Sequence, residues 1–423
     1  MHAFEQLTPD VFPMNTFLDW SDYPRFLRYL IESRGIDALL VAASQEVYRL
    51  LPYLRFHFPH LPIVDFLHLV TPDWMDGGYP RLSLTFQSAI DLTVVSSQYL
   101  KGWMLSEGAE TDRVRVATTN IDTDYWRPDP TVRRVVRSKL GLDDEQTIIL
   151  YVARLEQQKQ PDVFAKTMLR LSQMGLDFTA LVVGDGSLKD WLEDFLCEKN
   201  LKTKVRILGE LAVSKVRELM MAGDIIFLPS ENEGISLTLY EGMACGLVPV
   251  GANVGGQSEL VVSECGFLMP VGEMEQQVEQ YTNVLRELIC DPEMRQRMGQ
   301  ACRERISQNF RLDQMGDQMM TLIQKAEELR QVKPRSPTDE ELSFALARAS
   351  IEYTRTRAEF KRIQAQLENM DMPPAPARTY FYFAIRQLLY PIFSRFVGGE
   401  NVRAGMLKQR IKSLMVDKPE VDV

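Results

Sequence analysis

The chain alternates short apolar runs with amphipathic helical segments, and this alternation constrains its fold more than any other feature. The first series of apolar runs covers residues 36–44, 61–70, 89–97 and 112–120. Between them, segments such as "EVYRLLPYLRF" carry apolar residues at three- and four-residue spacing, which is typical of helices. Nearly continuous apolar strands that alternate with helices predict a parallel sheet covered on both faces.

A segment with two prolines, "NIDTDYWRPDPTVRR" (120–134), interrupts the series, and the alternation then restarts. Six further apolar runs follow, at 147–155, 178–186, 204–210, 224–230, 248–256 and 265–270. We therefore predict an α/β protein with two Rossmann-like, doubly wound parallel-sheet domains, which cover residues 1–125 and 126–330.

From residue 331 the sequence changes character, because a proline-containing linker precedes a charged helical pattern over 341–370. The tail beyond it carries seven arginines and lysines against one glutamate between Arg378 and Lys412, together with many aromatic residues. Residues 331–423 are thus predicted to be a helical extension. Three interpretations stay open: contact of 379–415 with an anionic membrane surface, docking on the protein, and pairing of 341–370 with a partner helix.

Charge and cysteine usage exclude several classes of protein. A net charge of −10 argues against a nucleic-acid partner, since phosphate binding needs a basic surface. The five cysteines include no C-x-x-C pair, which is typical of reduced thiols in a cytoplasmic protein. His57 and His60 stand three residues apart without a third metal ligand nearby, so no metal site is expected. Neither a signal peptide nor an apolar run long enough to span a membrane is recognised.

The stretch "PSENEGIS" ends the fourth apolar run of the second series at a predicted loop-to-helix junction. If a helix begins near Ile235, the backbone N–H groups of residues 234–238 have no intrahelical partner and can bind a phosphate. Glu233 precedes these donors and Glu241 follows them, so a bound diphosphate would have a carboxylate on each side. Ordinary surface glutamates at a helix start are the alternative interpretation.

Two further loops follow strands of the same predicted sheet. "YVARLEQQKQ" places Arg154 and Lys159 in one strand-end loop, where a guanidinium and an ammonium group suit a pyrophosphate. A solvated basic loop is the alternative. "VVGDGS" is a short glycine turn rather than the G-x-G-x-x-G fingerprint, so an enzyme that uses NAD is not expected.

In this order and spacing, "YVARLEQQKQ", "VVGDG", "VRILGEL", "DIIFLPSENEGISLTLYEGMACGLVPVGANVGG" and "CGFLMP" resemble the C-terminal domain of GT-B retaining glycosyltransferases of the family-4 type. The resemblance covers about residues 145–325, and more loosely 60–125. It implies a nucleoside-diphosphate sugar as the donor, with no metal or other cofactor.

The resemblance also implies roles for individual residues. Arg154 and Lys159 would bind the donor diphosphate, Glu233 the sugar and Glu241 the ribose. His68, at the end of "DFLHLV", would face the transferred sugar. The remaining donor-side positions are Gly184 in the "VVGDG" turn, Gly209 and Glu210 near the base, and the backbone of Gly234, Ile235, Ser236 and Leu237.

The first domain departs from the family pattern. Its usual glycine-rich loop is missing, since Gly35 is the only glycine before Gly77, and we expect about two strand–helix units to be absent. The expected function is sugar transfer to a glycan or lipid-linked acceptor in cell-surface polysaccharide synthesis, at the cytoplasmic face of the membrane. The alternatives are a non-catalytic sugar-nucleotide-binding or scaffold protein, and a sugar phosphorylase or epimerase of similar fold.

Overall fold

The computed structural model describes residues 2–335 and the positions 343, 344, 347–349, 351, 353 and 362. Pro24–Ala347 forms one compact unit, and Met1–Tyr23 belongs to another. In the described part of Met1–Tyr23, a helical turn is followed by two short 3-10 segments, and the rings of Trp20 and Tyr23 are in contact with centroids 4.7 Å apart.

The unit Pro24–Ala347 contains two parallel sheets, whose strands follow the predicted apolar runs. The first sheet has the order β1-β2-β3-β4, with β1 (Leu39–Ala42), β2 (Ile63–Leu67), β3 (Leu92–Val95) and β4 (Val114–Val116). The second sheet has the order β10-β9-β8-β5-β6-β7, with β5 (Thr147–Val152), β6 (Phe178–Val183), β7 (Val205–Gly209), β8 (Ile225–Leu228), β9 (Val248–Ala252) and β10 (Phe267–Met269). The prediction of two parallel-sheet α/β domains is confirmed.

Helices connect the strands and cover the sheets. In the described residues they are α1 (His2–Glu5), α2 (Tyr23–Arg34), α3 (Gln45–His57), α4 (Tyr79–Thr85), α5 (Gln98–Ser106), α6 (Pro130–Leu140), α7 (Pro161–Gln173), α8 (Lys189–Glu198), α9 (Val213–Ala222), α10 (Leu237–Ala244), α11 (Gln257–Leu260), α12 (Met274–Cys290), α13 (Pro292–Asn309) and α14 (Leu312–Val332). The central strands are buried along their length, as expected for a sheet between two helical layers.

In each sheet, an aspartate just before a strand accepts hydrogen bonds at the edge where the parallel strands begin. In the first sheet, Asp91 Oδ2 accepts hydrogen bonds from the buried Arg55 (2.5 Å) and from the backbone N–H of Ile63 (2.9 Å). In the second sheet, Asp224 accepts from Arg133 (2.7 Å) and from the backbone N–H of Ile148 (2.7 Å). The charges of both aspartates are therefore paired and hydrogen-bonded where the strands begin.

The chain crosses from one sheet to the other twice, and the two crossing segments, or passages, run side by side. The N–H of Ile121 donates to Phe310 O and the N–H of Leu312 donates to Ile121 O, each at 3.0 Å. The helix α14 that follows packs on the first sheet, with Leu322 and Ala326 among the buried residues of its core. The division at residues 125 and 330 did not anticipate that α14 returns to the first domain.

The described positions between 343 and 362 are helical, which is consistent with the predicted helical extension. The proposed membrane contact of 379–415 lies outside the described residues, and so does most of the proposed partner helix 341–370. No helix in the described part of the chain is long and apolar enough to cross a membrane.

Candidate functional site

The predicted site residues lie in loops at the carboxyl edges of the two sheets. Three loops of the second domain take part: 153–160 after β5, 229–236 after β8 and 253–256 after β9. Two loops of the first domain follow β2 and β3, at 68–70 and 96–97. Ligands of open α/β sheets bind at such carboxyl edges, because the helices that follow point their N-termini there.

The helix α10 begins at Leu237, two residues later than the predicted start near Ile235. The loop stays non-helical through Ser236, whose side chain does not cap the helix. Leu239 and Tyr240 donate their N–H groups to Ser236 O at 3.1 and 3.3 Å, whereas those of residues 235–238 meet no acceptor within the described residues. The donors predicted for this loop are therefore open, and those of Ile235 and Ser236 belong to the loop rather than to the helix.

Glu233 lies in this loop and forms an ion pair with Lys159 from the loop after β5. Both side chains are largely buried, with exposed fractions of 9% for Glu233 and 14% for Lys159. The family resemblance implies that Glu233 binds the sugar and Lys159 the diphosphate, but it does not predict that the two residues contact each other. The contact couples the two roles, because each charge stabilises the other in a site with little solvent.

Further hydrogen bonds hold the Glu233 and Lys159 loops together. Gln158 Nε2 donates to Asn232 O at 2.7 Å, and the N–H of Glu231 donates to Gln158 O at 2.8 Å. The Tyr151 hydroxyl, at the end of β5, donates to Lys159 O at 2.9 Å. Sequence reasoning missed Gln158 and Asn232, because neither carries a charge and their pairing connects loops more than 70 residues apart.

The loop "NVGG" after β9 supports Glu233 from the other side. Gly255 has a φ of +55°, and a Cβ at this position would overlap the carbonyl oxygen of Glu233. The N–H of Gly256 donates to Gly234 O at 2.7 Å. A side chain at residue 255 would thus displace Glu233, so the adjacent glycines permit a close backbone approach.

Glu241 lies on α10 in a different electrostatic setting. Its carboxylate is half-buried and has no hydrogen-bond or ion-pair partner among the described residues. Burial raises the pKa of Glu241 to about 7, because the charged form loses hydration that no cation replaces. An unpartnered carboxylate with a raised pKa at a strand-end helix is a candidate ligand-binding group.

The other donor-side positions lie in the neighbouring loops. The N–H of Gly184 donates to Gly209 O at 2.9 Å, which brings the two predicted glycine turns together. Gly184 has a φ of +137°, and a Cβ there would overlap the carbonyl oxygen of Ala153, next to Arg154. The Arg154 side chain is exposed and makes no hydrogen bond or ion pair with the described residues. Glu210 is exposed as well.

His68 follows β2 of the first domain and lies beside the Glu233 loop. A Cβ at Gly234 would overlap the carbonyl oxygen of His68, so the backbones of the two residues are in close contact. Ser96 Oγ donates to the same oxygen at 3.2 Å, and Asn232 Nδ2 donates to Val70 O at 2.9 Å. Burial lowers the pKa of His68, which favours its neutral form.

The described residues contain no group of three or more His, Cys, Asp or Glu side chains that could hold a metal ion. Among the described residues, Arg154 and Lys159 bring positive charge to the site, and the open backbone N–H groups of residues 235–238 are neutral hydrogen-bond donors. These groups are suited to an anionic ligand that has hydroxyl groups at both ends.

Known proteins resemble the chain most clearly in its second domain. Residues 132–305 match the model of the family described as glycosyl transferases group 1. The D-inositol 3-phosphate glycosyltransferase of Gordonia bronchialis is 28% identical over 269 residues, which are 62% of this chain and 57% of that protein. The sulfoquinovosyl transferase SQD2 of Arabidopsis thaliana is 26% identical, over 63% of this chain and 50% of that protein. The matched part thus spans about half the length of these curated relatives.

Solved structures share the fold at low identity. HepE from Anabaena, crystallised in complex with UDP, superposes with a TM-score of 0.63 at 21% identity, over 71% of this chain and 82% of that chain. A sucrose-phosphate synthase from Thermosynechococcus elongatus gives a TM-score of 0.60 at 18% identity, over 72% and 77% of the two chains. The chain therefore shares its fold with these structures, and residues 132–305 within it resemble glycosyl transferases group 1.

Proposed function

We propose that this protein transfers a sugar from a UDP-sugar to a glycan or lipid-linked acceptor. The observation that carries the proposal is the open N-terminal end of α10, which has Glu233 on one side and Glu241 on the other. Its loops belong to the segment that matches the glycosyltransferase model. UDP is the first candidate nucleotide because several structures of this fold were solved with UDP.

In this proposal the diphosphate occupies the open N–H groups of residues 235–238. Arg154, which is exposed and unpaired in the described residues, swings onto the diphosphate from the loop after β5. Lys159 neutralises the β-phosphate as it leaves, while it also holds Glu233 in place. Glu241 accepts hydrogen bonds from the ribose hydroxyls, since its carboxylate has no partner within the described residues.

The sugar then lies between Glu233 and the first domain, beside His68. A neutral imidazole at this position can accept or donate one hydrogen bond to a sugar hydroxyl. We propose retention of configuration, as in family-4 enzymes, with the leaving phosphate as the base that deprotonates the acceptor. The absence of a metal requirement is part of the proposal, because Arg154, Lys159 and the helix N-terminus supply the positive charge.

The proposed setting is cell-surface polysaccharide synthesis at the inner face of the plasma membrane. It is supported by the basic aromatic segment 379–415 in an otherwise acidic chain. Co-sedimentation of the full chain with anionic and neutral vesicles tests this placement, since an electrostatic contact requires the anionic lipid.

Calorimetric titration with UDP, GDP, ADP and dTDP tests the donor site. We expect UDP to bind, Glu241→Ala to weaken its binding by about tenfold or more, and Glu233→Ala to change it by less than about threefold. Glu279→Ala, on the exposed face of α12, is the matched control and should bind UDP like the unaltered protein. Release of UDP from a panel of UDP-sugars, by transfer of the sugar to water or to an added glycan or lipid-linked acceptor, then identifies the sugar, and here Glu233→Ala should lower turnover strongly.

Two results would contradict the proposal. If none of the four nucleotides binds, the open end of α10 is not a donor site. If Glu233→Ala and Glu241→Ala weaken UDP binding equally and strongly, the assignment of sugar to one and ribose to the other is wrong. Tight UDP binding without turnover of any UDP-sugar, either in water alone or with added glycan and lipid-linked acceptors, would favour the non-catalytic interpretation.

A further inference from the structure

The carboxylate of Glu259 joins the second domain to the start of a helix in the first. Glu259 lies on α11, and its two oxygens accept hydrogen bonds from the backbone N–H groups of Gln98 (2.8 Å) and Tyr99 (2.9 Å). These residues open α5, and their N–H groups have no intrahelical acceptor. The next free donor, the N–H of Leu100, is capped locally by Ser97 Oγ at 3.1 Å. Glu259 thus completes the cap of a helix that belongs to the other domain.

This contact is favourable for two physical reasons. Hydrogen bonds to an ionised acceptor are stronger than neutral ones. The carboxylate also lies at the positive end of the helix dipole. Glu259 is separated by more than 130 residues from the first passage between the sheets, near Ile121, and by about 50 from the second, near Arg311. It therefore restrains the relative position of the two domains at a point far in sequence from both connections between them.

The backbone around Glu259 is rigidly held. Arg305 donates from Nε to Leu260 O and from a terminal nitrogen to Glu259 O, each at 2.8 Å. Gln257, at the start of α11, is fully buried and donates from Nε2 to Ala252 O at 3.2 Å. A carboxylate on so fixed a turn can orient the helix it contacts.

The contact lies beside loops that are hydrogen-bonded to the backbone next to the proposed sugar-binding residues. On one side, α11 directly follows Gly256, whose N–H donates to Gly234 O beside Glu233. On the other side, α5 follows the loop 96–97, in which the Ser96 hydroxyl donates to His68 O. A Cβ at Gly256 would lie 2.6 Å from the Cβ of Ser97, so the backbone of Gly256 packs directly against the Ser97 side chain.

We propose that Glu259 is a positioning residue that clamps the first domain onto the second, so that His68 faces Glu233 during sugar transfer. The inference rests on the proposed function for the reaction that it assists. The proposed nucleotide-binding residues all lie on the second domain, so the clamp is not needed to bind UDP. It is needed to bring the first domain to the sugar. Loss of the clamp therefore lowers turnover and leaves UDP affinity unchanged.

The test compares Glu259→Gln, which keeps the shape but loses the charge, with Glu259→Ala, which loses both acceptors. Turnover is measured as UDP release from the UDP-sugar that the unaltered protein uses best. We expect turnover to fall by about tenfold in Glu259→Gln and by more in Glu259→Ala. The Kd for UDP should stay within about twofold in both. Glu264→Gln, an exposed glutamate five residues further on, is the matched control.

A second variant tests the same contact from the first domain. Gln98 is the first residue of α5, where proline is well tolerated, and Ser97 before it is extended with φ −153° and ψ 157°. Gln98→Pro thus removes one donor to Glu259 without breaking the helix, whereas Gln98→Ala keeps it. We expect Gln98→Pro to lower turnover by about threefold or more alone and to add nothing in the Glu259→Ala background.

Small-angle X-ray scattering separates failure of the clamp from failure of the proposed function. The radius of gyration should increase in Glu259→Ala, whether or not the protein is active. If the unaltered protein releases no UDP but Glu259→Ala still expands, the proposed function is wrong and the clamp stands. If the protein is active and Glu259→Ala matches Glu264→Gln in turnover and radius, the clamp is wrong. Equal additional loss from Gln98→Pro in the Glu259→Ala background would also overturn it.

Discussion

Two carboxylates at the start of α10 lie in opposite electrostatic settings. Glu233, in the loop before the helix, is ion-paired with Lys159 and enclosed by three loops. Glu241, on the helix itself, has no partner among the described residues, and burial raises its pKa to about 7. The protein itself therefore neutralises one carboxylate and leaves the other for a ligand.

This difference indicates what sets the position of each group. The place of Glu233 depends on residues far apart in sequence, Lys159 on one side and Gly255 on the other. The place of Glu241 depends on its own helix. Changes around Glu233 should therefore move a group that acts on the sugar and alter turnover, whereas changes at Glu241 should alter the affinity for the nucleotide.

The largest effect is expected from Lys159→Met, which breaks the ion pair. Loss of the ammonium removes both the partner of Glu233 and a cation from the proposed diphosphate site, so turnover should fall by about 100-fold or more. Removing one partner of a buried pair costs about 3–5 kcal/mol. Since both side chains retain some exposure, we expect a loss of about 1–3 kcal/mol in the free energy of unfolding, measured by urea denaturation.

The double variant Lys159→Met/Glu233→Gln distinguishes these two losses. With no buried charge left unpaired, it should regain most of the stability and none of the turnover. Lys215→Met is the control, because Lys215 forms an exposed ion pair with Glu218 on α9 and should have little effect on either quantity. Unchanged turnover in Lys159→Met would show that the pair is not part of the site.

A smaller effect is expected from Gly255→Ala, which displaces Glu233 without changing any charge. The added Cβ would overlap Glu233 O, so the loop must move and turnover should fall by about tenfold. Gly141→Ala is matched to it, because Gly141 also has a positive φ, +67°, but nothing within 4 Å of the added Cβ. Gly141→Ala should lose about 1 kcal/mol of stability from backbone strain, and Gly255→Ala should lose more because of the added overlap. Equal turnover in the two would mean that the position of Glu233 does not depend on Gly255.

Much of this arrangement could be predicted from local patterns. The ten apolar runs became the ten strands described, because nearly continuous apolar residues between turn signals can be buried only in the middle layer of such a sheet. The open end of α10 was also predicted from a local pattern, because a helix that follows a parallel strand points its N-terminus to the carboxyl edge of the sheet. The start was misplaced by two residues because Ile235 and Ser236 carry no strong signal against a helix.

Contacts that join distant loops could not be predicted in this way. The pairing of Lys159 with Glu233, the bonds of Gln158 and the cap by Glu259 depend on the register of loops separated by 70 to 160 residues. Local periodicity contains no information about that register. The return of α14 to the first sheet is of the same kind, since α14 follows the second domain in sequence but packs on a sheet formed by residues 39–116.

The smallest effect is a pH dependence at the Glu241 end. The carboxyl has its pKa raised from 4.5 to about 7 in the free protein, so it is ionised above pH 7 and protonated below. A protonated carboxyl keeps fewer acceptor sites for the ribose hydroxyls, so UDP affinity should fall by about fivefold between pH 8 and pH 6. Glu241→Gln cannot titrate and serves as the control, because its remaining pH dependence reports the phosphate of UDP.

The same shift has the opposite sign for the stability of the free protein. The stabilising contribution of a neutral Glu241 is fully present below about pH 4.5 and is lost as pH rises through about 7, because the fold must then keep a buried charge without a partner. Glu241→Gln should therefore unfold at a higher temperature than the unaltered protein at pH 8, with a smaller difference at pH 5. If UDP affinity instead depended on pH equally in the unaltered protein and in Glu241→Gln, this carboxylate would have no role in nucleotide binding. Glu241 would then be a partly buried helix residue outside the site.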